Sequence, residues 1–271
     1  MTIIPSHSVD VGIGDLWVRL HTTSAEFAAT MAERFTGFMG HVETPDYEFT
    51  ITLVPPAPEE RQEDDVHVWR EGALWRMTRN DFTASWDPLA RHGQAEMLLS
   101  PYSLDSLLRI VHTIMLAQEG SMLMHASSAI RDGRAYVFTG VSGAGKTTIS
   151  RLAPTDVHLL TDEMSFIRRT TSGYLAYGTP FAGELARPGE NIHAPLAGIF
   201  LLVQGPENRI DTLTPQEAVR GLMGNILFFA KDPQLSAAVF DAAITLACTV
   251  PVQRLTFLPD QRVWDLIGNT Q

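Results

Sequence analysis

FTGVSGAGKTTISRL, residues 138–152, is the stretch on which the reading of the whole chain turns. Within it, Gly140-Val141-Ser142-Gly143-Ala144-Gly145-Lys146-Thr147 matches G-x-x-x-x-G-K-[ST] without a gap. The apolar run AYVFT (135–139) precedes the glycines, and TTISRL follows them with no breaker before Pro154, so a strand, a loop and a short helix are expected. Glycines at these places remove side chains and let backbone N–H groups turn inward, which a bound polyphosphate needs and a packed core does not. The phosphates of a nucleotide, taken as ATP, are therefore expected against Gly140, Ser142, Gly143, Ala144, Gly145, Lys146, Thr147 and Thr148. Lys146 would reach the β and γ oxygens, and the Thr147 hydroxyl would ligate Mg²⁺.

A loop of this kind binds without saying what reacts. Phosphoryl transfer also needs a carboxylate for the metal and a carboxylate or oriented group beside the acceptor hydroxyl. DVHLLTDE (156–163) reads as the next strand and delivers Asp162 and Glu163 at its C-terminal end. In a parallel neighbour of the strand before the loop, both acids would arrive beside the phosphates. His125 stands in the apolar strand MLMHASS (122–128), where a lone histidine is more often a satisfied core residue than a functional one.

Upstream, LWVRLHT (16–22) reads as a strand, and Thr23-Ser24-Ala25-Glu26 has the form of a capping box before Phe27, Met31 and Phe35. YEFTITLVP (47–55) alternates as a strand. Residues 66–87 read as short strands with turns near Glu71-Gly72 and Arg79-Asn80-Asp81. PPAP and the acidic EERQEDD (55–65) read as a solvated loop. Ser103 is expected to cap a helix that buries Leu104, Leu107, Leu108, Val111 and Met115 and ends at Gly120. The Asp132-Gly133 pair predicts a hairpin between 122–128 and 134–140. Downstream, GIFLLV (198–203) and VQRLTFL (252–258) read as strands. Thr214-Pro215-Gln216-Glu217 opens one helix and Asp232-Pro233 a second. PGENIHAPLAG (188–198), flanked by proline and glycine, is expected as a mobile segment near the acceptor. The expected architecture is α/β, a small α+β N-terminal domain over residues 1–101 followed by a nucleotide-binding domain over 102–271.

Bulk properties bound the partners. With 271 residues, 45% hydrophobic and 19% charged, the chain can bury a core without disulfides. No run is long enough to cross a bilayer, and the opening MTIIPSHSVDVGIGDLW has neither the basic start nor the continuous apolar stretch of a secretory leader. A net charge of −11 argues against broad binding to nucleic acid or anionic membrane. The single cysteine, Cys248, excludes an internal disulfide, fits a cytoplasmic protein and, within ITLACTV, is expected to be a small buried hydrophobe. The other histidines show no zinc-like spacing.

LMHASSAIRDGRAYVFTGVSGAGKTTISRL followed by HLLTDEMSFIR resembles the HPr serine kinase/phosphorylase family, and particularly its shorter HPr-kinase-related members. GTPFAGEL (178–185) and HAPLAGIFLLVQGPENRIDTLTPQEAV (193–219) are similar to segments of the related group, so the resemblance covers roughly 120–230. It implies a P-loop core of the HPr kinase/phosphoenolpyruvate carboxykinase type. It also implies Asp162 as the base that takes the acceptor's proton, His125 as the imidazole near that acid, and Glu163 in the metal-associated position, normally Asp; Lys146, by its place in the loop, is the third catalytic residue expected. Glu184 and Arg187 are candidates for charges otherwise supplied by a signature that is missing here, so HPr itself is not the expected substrate. A homo-oligomer would fit the same family. The function expected is ATP- and Mg²⁺-dependent transfer of a phosphoryl group to a serine- or threonine-type hydroxyl on a peptide, protein or small metabolite. The alternatives are a shikimate- or gluconate-kinase-like enzyme and a nucleotide-binding or assembly module of a biosynthetic cluster that has lost catalysis.

Overall fold

The computed structural model describes residues 6–56, 65–185 and 188–268. Alternating apolar patterns, rather than long helical ones, dominate the sequence, and the result is a mixed α/β protein with two large mixed sheets and few helices. The chain divides into two compact units, Met1–Ile114 with Phe228–Ser236, and Met115–Leu227 with Ala237–Gln271. Most of the acidic 59–65 run, and Arg187, lie outside the described residues.

The first unit is built on β1 (His7–Ile13), β2 (Leu16–Thr22), α1 (Ala25–Arg34), β3 (Met39–Gly40), β4 (Tyr47–Leu53), β5 (His67–Glu71), β6 (Leu74–Arg79), β7 (Phe82–Asp87) and β8 (His92–Met97), with α2 (Pro101–Gln118) following. Among the described residues its eight strands run in the order β3-β1-β2-β4-β8-β7-β6-β5. The β2, β4 and β8 neighbours are parallel, and the remaining pairs antiparallel. Strict alternation of buried and half-buried residues along β2 is the mark of a strand with one face inward. Two helix starts differ from expectation. Ser24, not Thr23, caps α1, because its hydroxyl accepts the Phe27 N–H at 3.1 Å. Ser103 lies inside α2, fully buried, and donates to Asp81 at 2.5 Å, so its hydroxyl serves a loop instead of the helix end.

In the second unit, β9 (Met122–Arg131) and β10 (Arg134–Thr139) form the expected hairpin, with Asp132 and Gly133 both at positive φ, 51° and 71°. Then come α3 (Lys146–Arg151), β11 (His158–Thr161), β12 (Met164–Thr170), β13 (Gly173–Tyr177), β14 (His193–Gln204), β15 (Arg209–Thr212), α4 (Pro215–Met223), α5 (Pro233–Thr249) and β16 (Val252–Phe257). Long strands β9 and β14 each serve two sets of neighbours. Pairing therefore runs round a circuit, β10-β9-β12-β13-β14 and back to β10. Thr214 caps α4 with the full capping box, Glu217 answering it.

Three further expectations are corrected here. The strand that ends in the acids, β11, is not a neighbour of β10: β9 lies between them, antiparallel to both. Two reversals leave β11 running in the same sense as β10, so its C-terminal end still emerges on the same side. Residues 193–198 are not part of a loop but open β14, where burial alternates and Pro195 takes an outward position opposite Leu175. Cys248 is exposed, because α5 turns Val239, Ala242, Ala243 and Leu246 inward and position 248 falls on the other face. Among the described residues, no helix is long and apolar enough to cross a membrane.

One side of the sheet around β10 is sealed by Phe138, Phe200, Ile149 and Trp264. Trp264 is fully buried, meets the Phe138 ring edge-on at 5.3 Å between centroids and donates from Nε1 to the Ile149 carbonyl of α3 at 3.2 Å. Replacing Trp264 by Ala should lower unfolding free energy by about 3–5 kcal/mol, read from urea denaturation followed by circular dichroism.

Candidate functional site

The glycine-rich loop is tied down at both ends. Thr139, the last residue of β10, donates its hydroxyl to the His125 carbonyl at 2.8 Å. The Ala144 N–H closes the turn on the Val141 carbonyl at 3.0 Å, and Gln204 donates to the Gly143 carbonyl at 2.7 Å. Gly145 is demanded twice over: its φ is +110°, and a Cβ there would stand 2.5 Å from the Phe257 ring. Next to it, Lys146 is only 8% exposed and donates Nζ to the Gly140 carbonyl at 3.0 Å. Burial draws its pKa below the ordinary lysine value, while the charges of Glu163 and Glu184 pull the other way.

The acids arrive from β11. Asp162 is 3% exposed, and its carboxylate accepts the Gly183 N–H at 3.1 Å and the Leu185 N–H at 2.8 Å. This holds the segment after β13 against the end of β11. The same segment is closed by the Gly178 N–H on the Ile192 carbonyl and the Gly189 N–H on the Thr179 carbonyl, at 3.0 and 2.9 Å. Glu163 is half-buried, with Oε1 3.6 Å from His125 Nε2. The carboxylate neighbour of His125 is thus the second acid, not the first, which the resemblance sets beside it.

His125, Ser142, Gly143, Gly145, Lys146, Thr147, Thr148, Asp162 and Glu163 line one cavity of about 500 Å³. Gly140 and Ala144 do not line it: the first offers its carbonyl to Lys146 and the second is buried behind the loop. Glu184 lies on the wall, together with Gly183 and Arg151, which the sequence reading passed over. Arg151 had a signal, since it follows Thr147 by one helical turn and shares its face. Gly183 had none, because its role depends on Asp162 and Glu163 folding onto it: a Cβ there would lie 2.9 Å from an oxygen of each. Two cations, Lys146 and Arg151, thus face three carboxylates across one space. Thr147 and Glu163 both put oxygen atoms on the cavity wall, the ligand type that a hard divalent cation takes when it binds through one or two protein oxygens and completes its shell with phosphate and water.

A wider cavity of about 630 Å³ in the first unit surrounds Asp10, Arg19, His21 and His41. There the Asp10 carboxylate is already satisfied by the Arg19 guanidinium at 2.7 and 2.8 Å, a bond that holds its pKa below the usual range. Its charges answer one another, whereas Lys146 in the loop cavity is partnered by the Gly140 carbonyl and meets Glu163 and Glu184 through charge.

The family model of the SynChlorMet cassette protein ScmC matches residues 94–269, and the chain belongs to that family. No curated protein matches the chain. The match takes in the loop, both acids, His125 and Glu184.

The buried lysine sets a pH dependence. Because its folded pKa lies below the ordinary 10.5, the unfolded chain binds the extra proton through the interval between the two values. Stability contributed at this position therefore rises with pH across that interval. Against a Lys146→Met variant, the wild-type protein should gain melting temperature as pH approaches 10.5, and differential scanning calorimetry over that range measures the slope.

Proposed function

We propose that this chain is an ATP- and Mg²⁺-dependent kinase with a P-loop core of the HPr kinase type. It transfers the γ-phosphoryl group to a serine- or threonine-type hydroxyl on a peptide, protein or small metabolite. One observation carries the reading: the uninterrupted G-x-x-x-x-G-K-T loop, with Lys146 at its base, shares a single cavity with Asp162 and Glu163. Loop amides and Lys146 hold the phosphates and stabilise the charge that spreads over the transferring group. When bound, Mg²⁺ would neutralise the phosphate oxygens, with Thr147 and Glu163 as its protein donors. The resemblance assigns the acceptor's proton to an acid at the position of Asp162, one of three carboxylates on the cavity, and His125 lies against the second of them, Glu163.

A second reading, a nucleotide-binding module without catalysis, draws support from Asp162 itself. A carboxylate with both oxygens bonded to backbone N–H groups is occupied with structure. The two readings separate in one assay. γ-Labelled ATP with Mg²⁺ is offered to serine-containing peptides, free hydroxy amino acids and sugars. The kinase reading expects label in one class of acceptor, with a loss of about 100-fold or more in Lys146→Ala. Tight nucleotide binding with no labelled acceptor favours the module.

A further inference from the structure

The three carboxylates on the cavity are differently engaged. Both oxygens of Asp162 accept backbone N–H groups, from Gly183 and from Leu185, the two residues that flank Glu184. Glu163 lies against His125. Glu184 makes no hydrogen bond or ion pair to a described residue, is exposed to the cavity, and acts on Lys146 through charge alone. Gly183 brings this about, since no side chain fits between the loop and the oxygens of Asp162 and Glu163.

Resting on the kinase reading above, we infer that Glu184 is the catalytic carboxylate facing the acceptor, and that Asp162 is a positioning residue that grips the loop on either side of it. The acceptor oxygen forms its bond to the γ-phosphorus as the bond from that phosphorus to the β–γ bridging oxygen breaks. The bridging electron pair leaves with ADP, and the hydroxyl proton passes to the Glu184 carboxylate. A base needs lone pairs within reach of the proton it takes, and among the described residues nothing hydrogen-bonds to the oxygens of Glu184. Asp162 acts through the backbone, and its two N–H bonds hold Glu184 on the wall of the cavity.

The experiment compares wild-type protein with Glu184→Gln, Asp162→Ala, Asp162→Asn and the double variant Asp162→Ala/Glu184→Gln. Three quantities are read: phosphate transfer from saturating Mg·ATP to the acceptor panel and to water, ATP affinity by calorimetry, and hydrogen exchange at the amides of residues 183 and 185. Glu184→Gln should lower turnover about 100-fold or more while ATP affinity stays within about twofold. Asp162→Ala should speed exchange at both amides and lower turnover to a similar degree, with the double variant no slower than the single ones. Asp162→Asn keeps one accepting oxygen and should fall between; should Asp162→Ala fail to fold, Asp162→Asn supplies the comparison. Turnover of Glu184→Gln within about threefold of wild type overturns the inference and leaves the kinase reading standing. Unchanged amide exchange in the Asp162 variants overturns the positioning role. Wild-type protein that binds no ATP, or binds it and transfers to no acceptor, water included, overturns both.

Discussion

A buried ammonium group is the constraint around which the second unit is arranged. Lys146 sits beneath the loop that it ends, with Nζ on the Gly140 carbonyl. Taking such a charge out of water costs several kcal/mol unless hydrogen bonds and opposite charges compensate. The compensation comes from three places in the chain: the loop's own carbonyl, Glu163 at the end of β11, and Glu184 on the segment after β13. The backbone at Lys146 is held as well, since Ser127 of β9 and Ser150 of α3 both donate to its carbonyl, at 3.4 and 3.0 Å. A phosphate entering the cavity would supply the negative charge that this lysine only partly finds in the protein.

The length of β9 is what makes the arrangement possible. Its C-terminal half lies between β10 and β11, while its N-terminal half pairs with β12 and carries His125 opposite Met164. One strand therefore sets the height of the glycine-rich loop on one side and that of the acids on the other. The Ala126 N–H bonds to the Glu163 carbonyl at 3.0 Å, tying the acidic turn to the same strand that anchors the loop through Thr139.

Much of this was legible in the sequence wherever the signal was local. The Asp132-Gly133 turn, the box at Thr214 and Glu217, and the strand-loop-helix at 135–151 each depend on neighbours a few residues away, and each formed as read. What escaped depends on distant chain. Asp81 draws Ser103 away from a capping role, and the inward face of α5 is settled by its packing, which leaves Cys248 outside. The insertion of β9 between β10 and β11 is likewise a pairing choice that apolar strands of this kind do not announce. In the site, the G-x-x-x-x-G-K-T run and the two acids stood out by residue type. Gly183 and the different hydrogen bonding of the three carboxylates did not, because they follow from two backbone N–H groups meeting Asp162 across some twenty residues of chain.

The central claim, that the cavity is a site for nucleotide phosphates, is tested most directly by a crystal structure with a non-hydrolysable ATP analogue and Mg²⁺. The account predicts β and γ phosphates within hydrogen-bond distance of the amides of Gly143, Gly145, Lys146 and Thr147 and of Lys146 Nζ, with the metal on Thr147 and Glu163. A nucleotide bound elsewhere, or a cavity left empty at saturating analogue, would contradict it.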